Sequence, residues 1–321
     1  MLFQLMVPTS CAGTRLDVWL ERQLEGCTRS HISRLIKDNR CVVEPGTAKP
    51  GYGLKGGEMV SLEIPEVEPM EAVPEDIPLT ILHEDEHLIA INKPAGMVVH
   101  PAIGHRRGTL VNAILGRYGS ELPNSDGSTT AWRPGIVHRL DQFTSGVILI
   151  ARTMSALTYL QDAFKARVVT KRYLALVAGK PRADFMEHAG WLGRHPKDFR
   201  KRCVLPDGAT DAKEAYTSFI VLDRRSGYSV VEARPKTGRT HQVRVHLAAL
   251  GHPILADSTY GRSAVWPLTP REGDAVLARQ ALHAWSISFP HPAGHTLQLQ
   301  APIPEDFLPW IDKDSQIRPS K

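Results

Sequence analysis

Apolar and polar positions alternate with two different periods along this chain. After Arg15, the order Leu16-Asp17-Val18-Trp19-Leu20, followed by Leu24, has helical spacing. A second helix is predicted after Cys27, with Thr28 or Ser30 as its N-cap. At roughly 100° per residue, Ile32, Leu35 and Ile36 share its apolar face, and Arg29, Arg34, Lys37 and Arg40 fall on the arc beside and opposite. The helix runs into Val42-Val43, a Gly/Pro turn, and the strand-like stretch Leu54 to Leu62. The basic arc has two readings: a solvated helix face, or a row of phosphate contacts.

From Ile64 to Pro78 the periodicity lapses. Four prolines stand among five acids there, the composition of an extended linker. The chain is therefore divided into a small domain at 1–64, a linker at 65–78, a large domain at 79–312 and a tail at 313–321. Beyond the linker, short apolar runs suit strands: Leu88 to Ile91, Gly146 to Ile150, Tyr173 to Val177, Tyr216 to Ile220 and Ser229 to Ala233. Helical stretches are fewer, at Leu110 to Leu115, Ser155 to Lys165 and His241 to Leu250. The pattern predicts an α+β domain on a mainly antiparallel, mixed sheet.

Composition narrows the class. At 321 residues, 42% hydrophobic and 23% charged, the chain has the make-up of a globular protein with room for two domains. Its longest apolar runs, such as Val147 to Ile150, fall far short of the roughly 20 residues a membrane span needs. Met1-Leu2-Phe3 opens no basic, then apolar, leader, so a cytoplasmic protein with no membrane partner is expected. None of Cys11, Cys27, Cys41 and Cys203 sits in a Cys-x-x-Cys pair, so reduced packing thiols are expected. The net charge of +5 favours an anionic partner only weakly.

Chemistry concentrates at His138-Arg139-Leu140-Asp141-Gln142-Phe143-Thr144-Ser145-Gly146, directly before an apolar strand. An Asp there is held at a rigid sheet edge, either as a turn cap or as a reactive carboxylate. A serine-hydrolase reading fails, because no Gly-x-Ser-x-Gly elbow exists. His241, His246 and His252 match no zinc spacing, and no metal site is expected from them.

The segment resembles the HRLD-x-x-TSG signature of RluA-type pseudouridine synthases. The resemblance runs from about residue 80 to 310. It takes in Glu84 to Gly96, Val98-Val99-His100-Pro101, Gly108 to Ala113, Lys171-Arg172-Tyr173, Thr237 to His246, Ala281-Leu282-His283-Ala284 and Phe289 to Pro292. Residues 13 to 64 are similar to the S-four-like RNA-binding module, an α/β unit. They depart from it at Asn39, where Gly is usual, and at Glu44-Pro45-Gly46, where an Asn-Gly turn is usual. Gln142-Phe143 stands where Lys-Asp is usual, and Ala256 precedes Asp257 where Gly is common; the second change is expected to touch packing only.

The resemblance implies isomerisation of uridine in structured RNA, by breaking the N1–ribose bond, turning the base and rejoining it through C5. No redox change or hydrolysis is involved, so no cofactor is expected. Asp141 would be the nucleophile, a group that needs no activating base at neutral pH. Arg239, or failing it Arg244, would supply the guanidinium beside it. Tyr173 would stack on the uracil and relay the C5 proton, Leu282 would pack beneath the base, and Arg139 would fill the space left by the flipped nucleotide. The basic run Arg194, Lys197, Arg200, Lys201 and Arg202 is expected to meet phosphate. Large-subunit ribosomal RNA is favoured over transfer RNA, and a monomer is expected. Two other classes compete: a non-catalytic RNA-binding factor, opposed by the intact Asp141, Tyr173 and Arg239, and a glycosidase, which needs a second carboxyl that the motif does not offer.

Overall fold

The computed structural model describes residues 2–311 apart from 25–26, 28, 47, 65–71, 102–104, 120–121, 124–133 and 199, and without the side chains of residues 30 and 31. Thr28, the Ser30 hydroxyl, the first half of the expected linker and the expected tail all lie outside these residues. The chain forms two compact units, Met1–Pro69 and Met70–Lys321.

In the first unit, β1 (Leu2–Met6), β2 (Cys41–Glu44) and β3 (Met59–Glu63) make an antiparallel sheet in the order β1-β3-β2, joined by α1 (Leu16–Gln23) and α2 (Arg29–Lys37). The apolar stripe read from the sequence is the buried one: Leu16 and Leu20 of α1 meet Ile32, Leu35 and Ile36 of α2 against Val60 and Leu62. Asp17 is buried yet charged, because Arg15 and Arg29 each reach it at 3.0 Å. The Arg15 hydrogen bond, followed by that of Arg29, holds its carboxyl down at about 2. After α2, Asn39 takes a left-handed turn with φ of 58°, a backbone that Asn tolerates better than most residues. Strand β1 was not expected from the sequence: none of its residues is fully buried, so its alternation carries little contrast.

The second unit is one mixed sheet in the order β4-β5-β6-β12-β7-β11-β10-β8-β9, with β13 pairing on β12. Its strands are β4 (Thr80–Glu84), β5 (Leu88–Lys93), β6 (Ser145–Ala151), β7 (Thr170–Ala178), β8 (Phe185–Arg194), β9 (Arg202–Leu205), β10 (Lys213–Arg224), β11 (Tyr228–Pro235), β12 (Leu282–Pro290) and β13 (Thr296–Gln300). Among the described strands only β6 and β12 run parallel; the other pairings are antiparallel. The helices are α3 (Leu110–Tyr118), α4 (Met154–Lys165) and α5 (Gln242–Ala249).

Strand β6 reads as an unbroken apolar run because both its faces are covered. Ile148 and Ile150 pack with Leu110, Val111 and Ile114 of α3, whereas Val147 and Leu149 pack with Ala156, Leu157 and Leu160 of α4. Each such fully buried side chain contributes roughly 1.5–3 kcal/mol. Helix α3 starts at a capping box: Thr109 Oγ1 accepts from Asn112 N–H, and Asn112 Oδ1 accepts from Thr109 N–H. Strands β4, β8, β9, β12 and β13 go beyond the strands the sequence predicted. Strand β8 is half-exposed and mixes Glu, His, Trp and Gly, so its pattern has no clean period.

Candidate active site

The turn that carries Asp141 is fastened from two sides. Lys93, at the end of β5, is fully buried and donates to the carbonyls of Pro94, Met97 and Gln142. Gly96 N–H also donates to Gln142 O, at 2.9 Å. Burial pushes the Lys93 ammonium down to about 7, opposed by the charge of Asp141. From the β12 side, Arg279 donates to the carbonyls of Phe143, Gln280 and Leu282, and Gln280 donates to Thr144 Oγ1. Ser145 Oγ lies 2.9 Å from His283 Nδ1. Gly146 then pairs with Ala284 at positive φ, where a Cβ would collide with the Ala284 carbonyl. Only Gly serves there, which explains the last letter of the motif.

Gln142 and Phe143, the departures from the family pattern, thus contribute backbone carbonyls that any residue carries, and the Phe143 side chain is half-exposed. His138 is a structural group. Its Nε2 accepts from Leu149 N–H at 3.0 Å, its ring stacks on Phe164, and burial drives it down to about 3.

Asp141, Arg139, Tyr173, Arg239, Arg244 and Leu282 line one cavity of about 480 Å³. The guanidinium against Asp141 belongs to Arg244, whose Nη1 donates to Asp141 Oδ2 at 3.1 Å. This corrects the expectation that Arg239 fills that role: Arg239 Nε donates instead to Glu214 O at 3.0 Å. The reason is helical geometry. Arg244 lies inside α5, which presents it to the core, whereas Arg239 sits in the preceding loop, fixed through its N–H to Gln242 Oε1.

Asp257, which sequence reasoning did not single out, holds Arg244 in a bidentate pair at 2.7 and 2.8 Å and itself accepts from Thr259 and Tyr260 N–H. Both partners are buried, and each keeps its charge through the other. The neighbouring Ala256 has φ of 54°, so replacing the usual Gly strains the backbone and is more than a packing change.

Tyr173 lies on β7, mostly buried. Burial first, and the charge of Asp141 second, raise its phenol and keep it protonated. Lys171, two residues earlier on the same face, donates to Thr237 O, and burial brings it down to about 8. Arg139 is exposed at the cavity wall, and Leu282 is buried in it. The cavity therefore joins a fixed carboxylate, an apolar floor, an aromatic face and cations at one edge, a set suited to a flat base on an anionic backbone.

Elsewhere, Arg29 and Arg40 carry carboxylate partners, Asp17 and Glu63. Arg34 and Lys37 are exposed and have no ion pair among the described residues. In the β8–β9 hairpin, Arg200 pairs with Asp198. The four cysteines are free thiols. No helix among the described residues is long and apolar enough to cross a membrane.

The mixed sheet presents the Asp141-bearing turn to this cavity, and comparison with known proteins identifies the class. The profile of the RNA pseudouridylate synthase family matches residues 87–249, and the chain belongs to that family, as an enzyme of the RluA type. It is 40% identical over 312 residues, 95% of this chain and 90% of the other, to the ribosomal large subunit pseudouridine synthase D of Xanthomonas campestris. It is 36% identical over 299 residues, 93% of each chain, to the uncharacterised RNA pseudouridine synthase YlyB of Bacillus subtilis. Among solved structures it is similar to human RNA pseudouridylate synthase domain containing 1, with a TM-score of 0.56 and 28% identity over 74% of this chain and 88% of that one.

Proposed function

We propose that this enzyme isomerises particular uridines of large-subunit ribosomal RNA in the cytoplasm, with Asp141 as its nucleophile. The observation that carries the reading is Asp141 on the wall of the cavity, held at one oxygen by Arg244. One carboxylate oxygen is thereby oriented, while the other, with no hydrogen bond among the described residues, would make the attack. The target uridine must leave its stack to enter, which costs a few kcal/mol. Leu282 and the Tyr173 ring would hold the flipped base between them, and Arg139 would occupy the space it leaves. A neutral Tyr173 phenol can pass on the C5 proton only by exchanging its own, so the residue is first a stacking face and second a relay. Arg239, at the mouth, would meet the backbone beside the flipped nucleotide. No step requires a cofactor.

Residues 1–64 would serve as an S-four-like RNA-binding module joined through the 65–78 linker to the catalytic domain at 79–312, with the enzyme a monomer. The two helices over a three-stranded sheet, with Arg34 and Lys37 exposed on α2, support this reading. The relatives named for ribosomal large subunit pseudouridine synthase D support the choice of RNA. The test is site-by-site mapping of pseudouridine in ribosomal and transfer RNA from cells lacking the gene. Loss of large-subunit sites that Asp141→Asn does not restore is the expected result. Loss confined to transfer RNA overturns the substrate, and restoration by the Asn variant overturns the nucleophile.

A further inference from the structure

A second cluster of chemically capable side chains lies outside the cavity, where the β4–β5 turn meets the β12–β13 turn. His83, on β4, follows a register shift between Ile81 and His83, a bulge of the kind that re-aims a side chain. Its Nε2 lies 2.8 Å from Asp85 Oδ2. His291, from the other turn and about 200 residues away in sequence, brings its Nε2 to 2.9 Å from the same oxygen. The three donor atoms lie within 4.8 Å of one another.

Two details separate this cluster from an ordinary surface ion pair. The first is the carboxylate. Asp85 Oδ1 is fully engaged, accepting from His87 N–H at 2.8 Å and Leu88 N–H at 2.9 Å, so Oδ2 alone is turned to the two imidazoles. Ligating carboxylates are commonly fixed in this way by hydrogen bonds from behind. The second is His291. It is only 3% exposed, and its buried Nε2 has no hydrogen-bond partner despite the nearness of Asp85. At 2.8 and 2.9 Å from Asp85 Oδ2 the two nitrogens stand closer than ligands of one tetrahedral zinc, which lie about 3.3–3.5 Å apart when each is about 2.0–2.2 Å from the metal, so loading would open the cluster by about half an ångström.

We propose that His83 Nε2, Asp85 Oδ2 and His291 Nε2 form a binding site for a divalent transition metal, with zinc the best match and a fourth, solvent-facing position left for water. Two neutral imidazoles and one carboxylate are a donor set that zinc takes readily, at about 2.0–2.2 Å from each ligand. Burial lowers the His291 imidazole, against the opposing pull of Asp85. Loading has a definite proton consequence. His291 Nδ1 now accepts from Ala293 N–H over a long 3.2 Å contact; a metal on Nε2 moves the ring proton to Nδ1 and releases that amide. The ion would staple the β4–β5 hairpin to the β12–β13 hairpin. None of its ligands lines the catalytic cavity, so the role is structural.

The test uses the full chain, free of any histidine tag and stripped with chelator, titrated with zinc against a competing indicator. One zinc per chain at micromolar affinity or tighter is expected, with a higher melting temperature on loading and a shift of the Ala293 amide resonance. His83→Gln, at a half-exposed position, and His291→Gln should each weaken zinc at least tenfold, while His252→Gln, outside the cluster, leaves it unchanged. If His291→Gln does not fold, His83→Gln alone decides. Absence of stoichiometric zinc, or wild-type affinity in His83→Gln, overturns the site and leaves a hydrogen-bonded corner.

Discussion

Arg244 meets Asp257 through two parallel hydrogen bonds, at 2.7 and 2.8 Å, before its remaining amino group reaches Asp141 at 3.1 Å. The guanidinium is planar and rigid, so the bidentate pair sets the angle at which Arg244 addresses Asp141. Asp257 therefore positions Asp141 through Arg244.

Asp257→Asn should accordingly lower kcat more than it raises KM, because Arg244 loses its anchor while the RNA-binding surface stays intact. It should also destabilise the fold by roughly 3–5 kcal/mol, as removal of one partner from a buried ion pair does. Single-turnover rates and RNA affinity measured together with thermal unfolding check both parts. A variant that melts early but turns over at the wild-type rate per folded molecule would limit Asp257 to a structural role. Arg244→Ala should cost more rate than Arg239→Ala, and Arg239→Ala should show mainly in affinity.

Asp141→Asn keeps the shape of the side chain and removes its nucleophilicity. Pseudouridine formation should fall at least about 100-fold, with unfolding and RNA affinity close to wild type. Release of tritium from C5-labelled uridine RNA is the readout, and turnover above a few per cent of wild type counts against the assignment.

Arg34→Ala with Lys37→Ala removes the two exposed cations of α2 that have no ion pair among the described residues. If both meet phosphate, the slope of log affinity against log salt should flatten by about 1.5, at 0.7–0.9 per contact. The loss should be alike for unrelated RNA sequences, since phosphate contacts carry no base information. Replacing Arg29 and Arg40 as well should add less than two further contacts, because Asp17 and Glu63 already engage them. An unchanged slope means a solvated helix face.

Acid should weaken the fold through its buried histidines. Burial drives His138 down to about 3, and His246 and His283 to about 4, from an ordinary 6.5. Unfolded chains bind these protons below about 6.5 while the folded protein refuses them, so the stabilisation is complete above 6.5 and is lost as pH falls toward 4. Each histidine contributes a slope of at most about 1.4 kcal/mol per pH unit in that window. Urea unfolding at pH 7.5 and 5 measures it, and equal stability at both would show that these side chains are not buried as neutral rings.

What the sequence determined by itself are features that short-range physics writes into local order. Turn chemistry and an apolar run place Asp141 before β6, because a strand covered on both faces must read Val147-Ile148-Leu149-Ile150. Helical spacing assigns Ile32, Leu35 and Ile36 to the core of the small unit and leaves Arg34 and Lys37 in water. The residues later found around the cavity were legible too, as separate motifs spread over more than 140 positions. Which of them touch was decided by tertiary structure alone. The sequence motif favours Arg239 over Arg244, and only the direction α5 takes over the sheet gives Asp141 to Arg244 instead. The role of Asp257 is hidden for the same reason, since its partner is 13 residues away and its burial depends on the packing of α5. His83 and His291 meet only because β13 folds back on β12 near the start of the sheet. Contacts between distant segments depend on how the sheet closes, and no local pattern of residues contains that information.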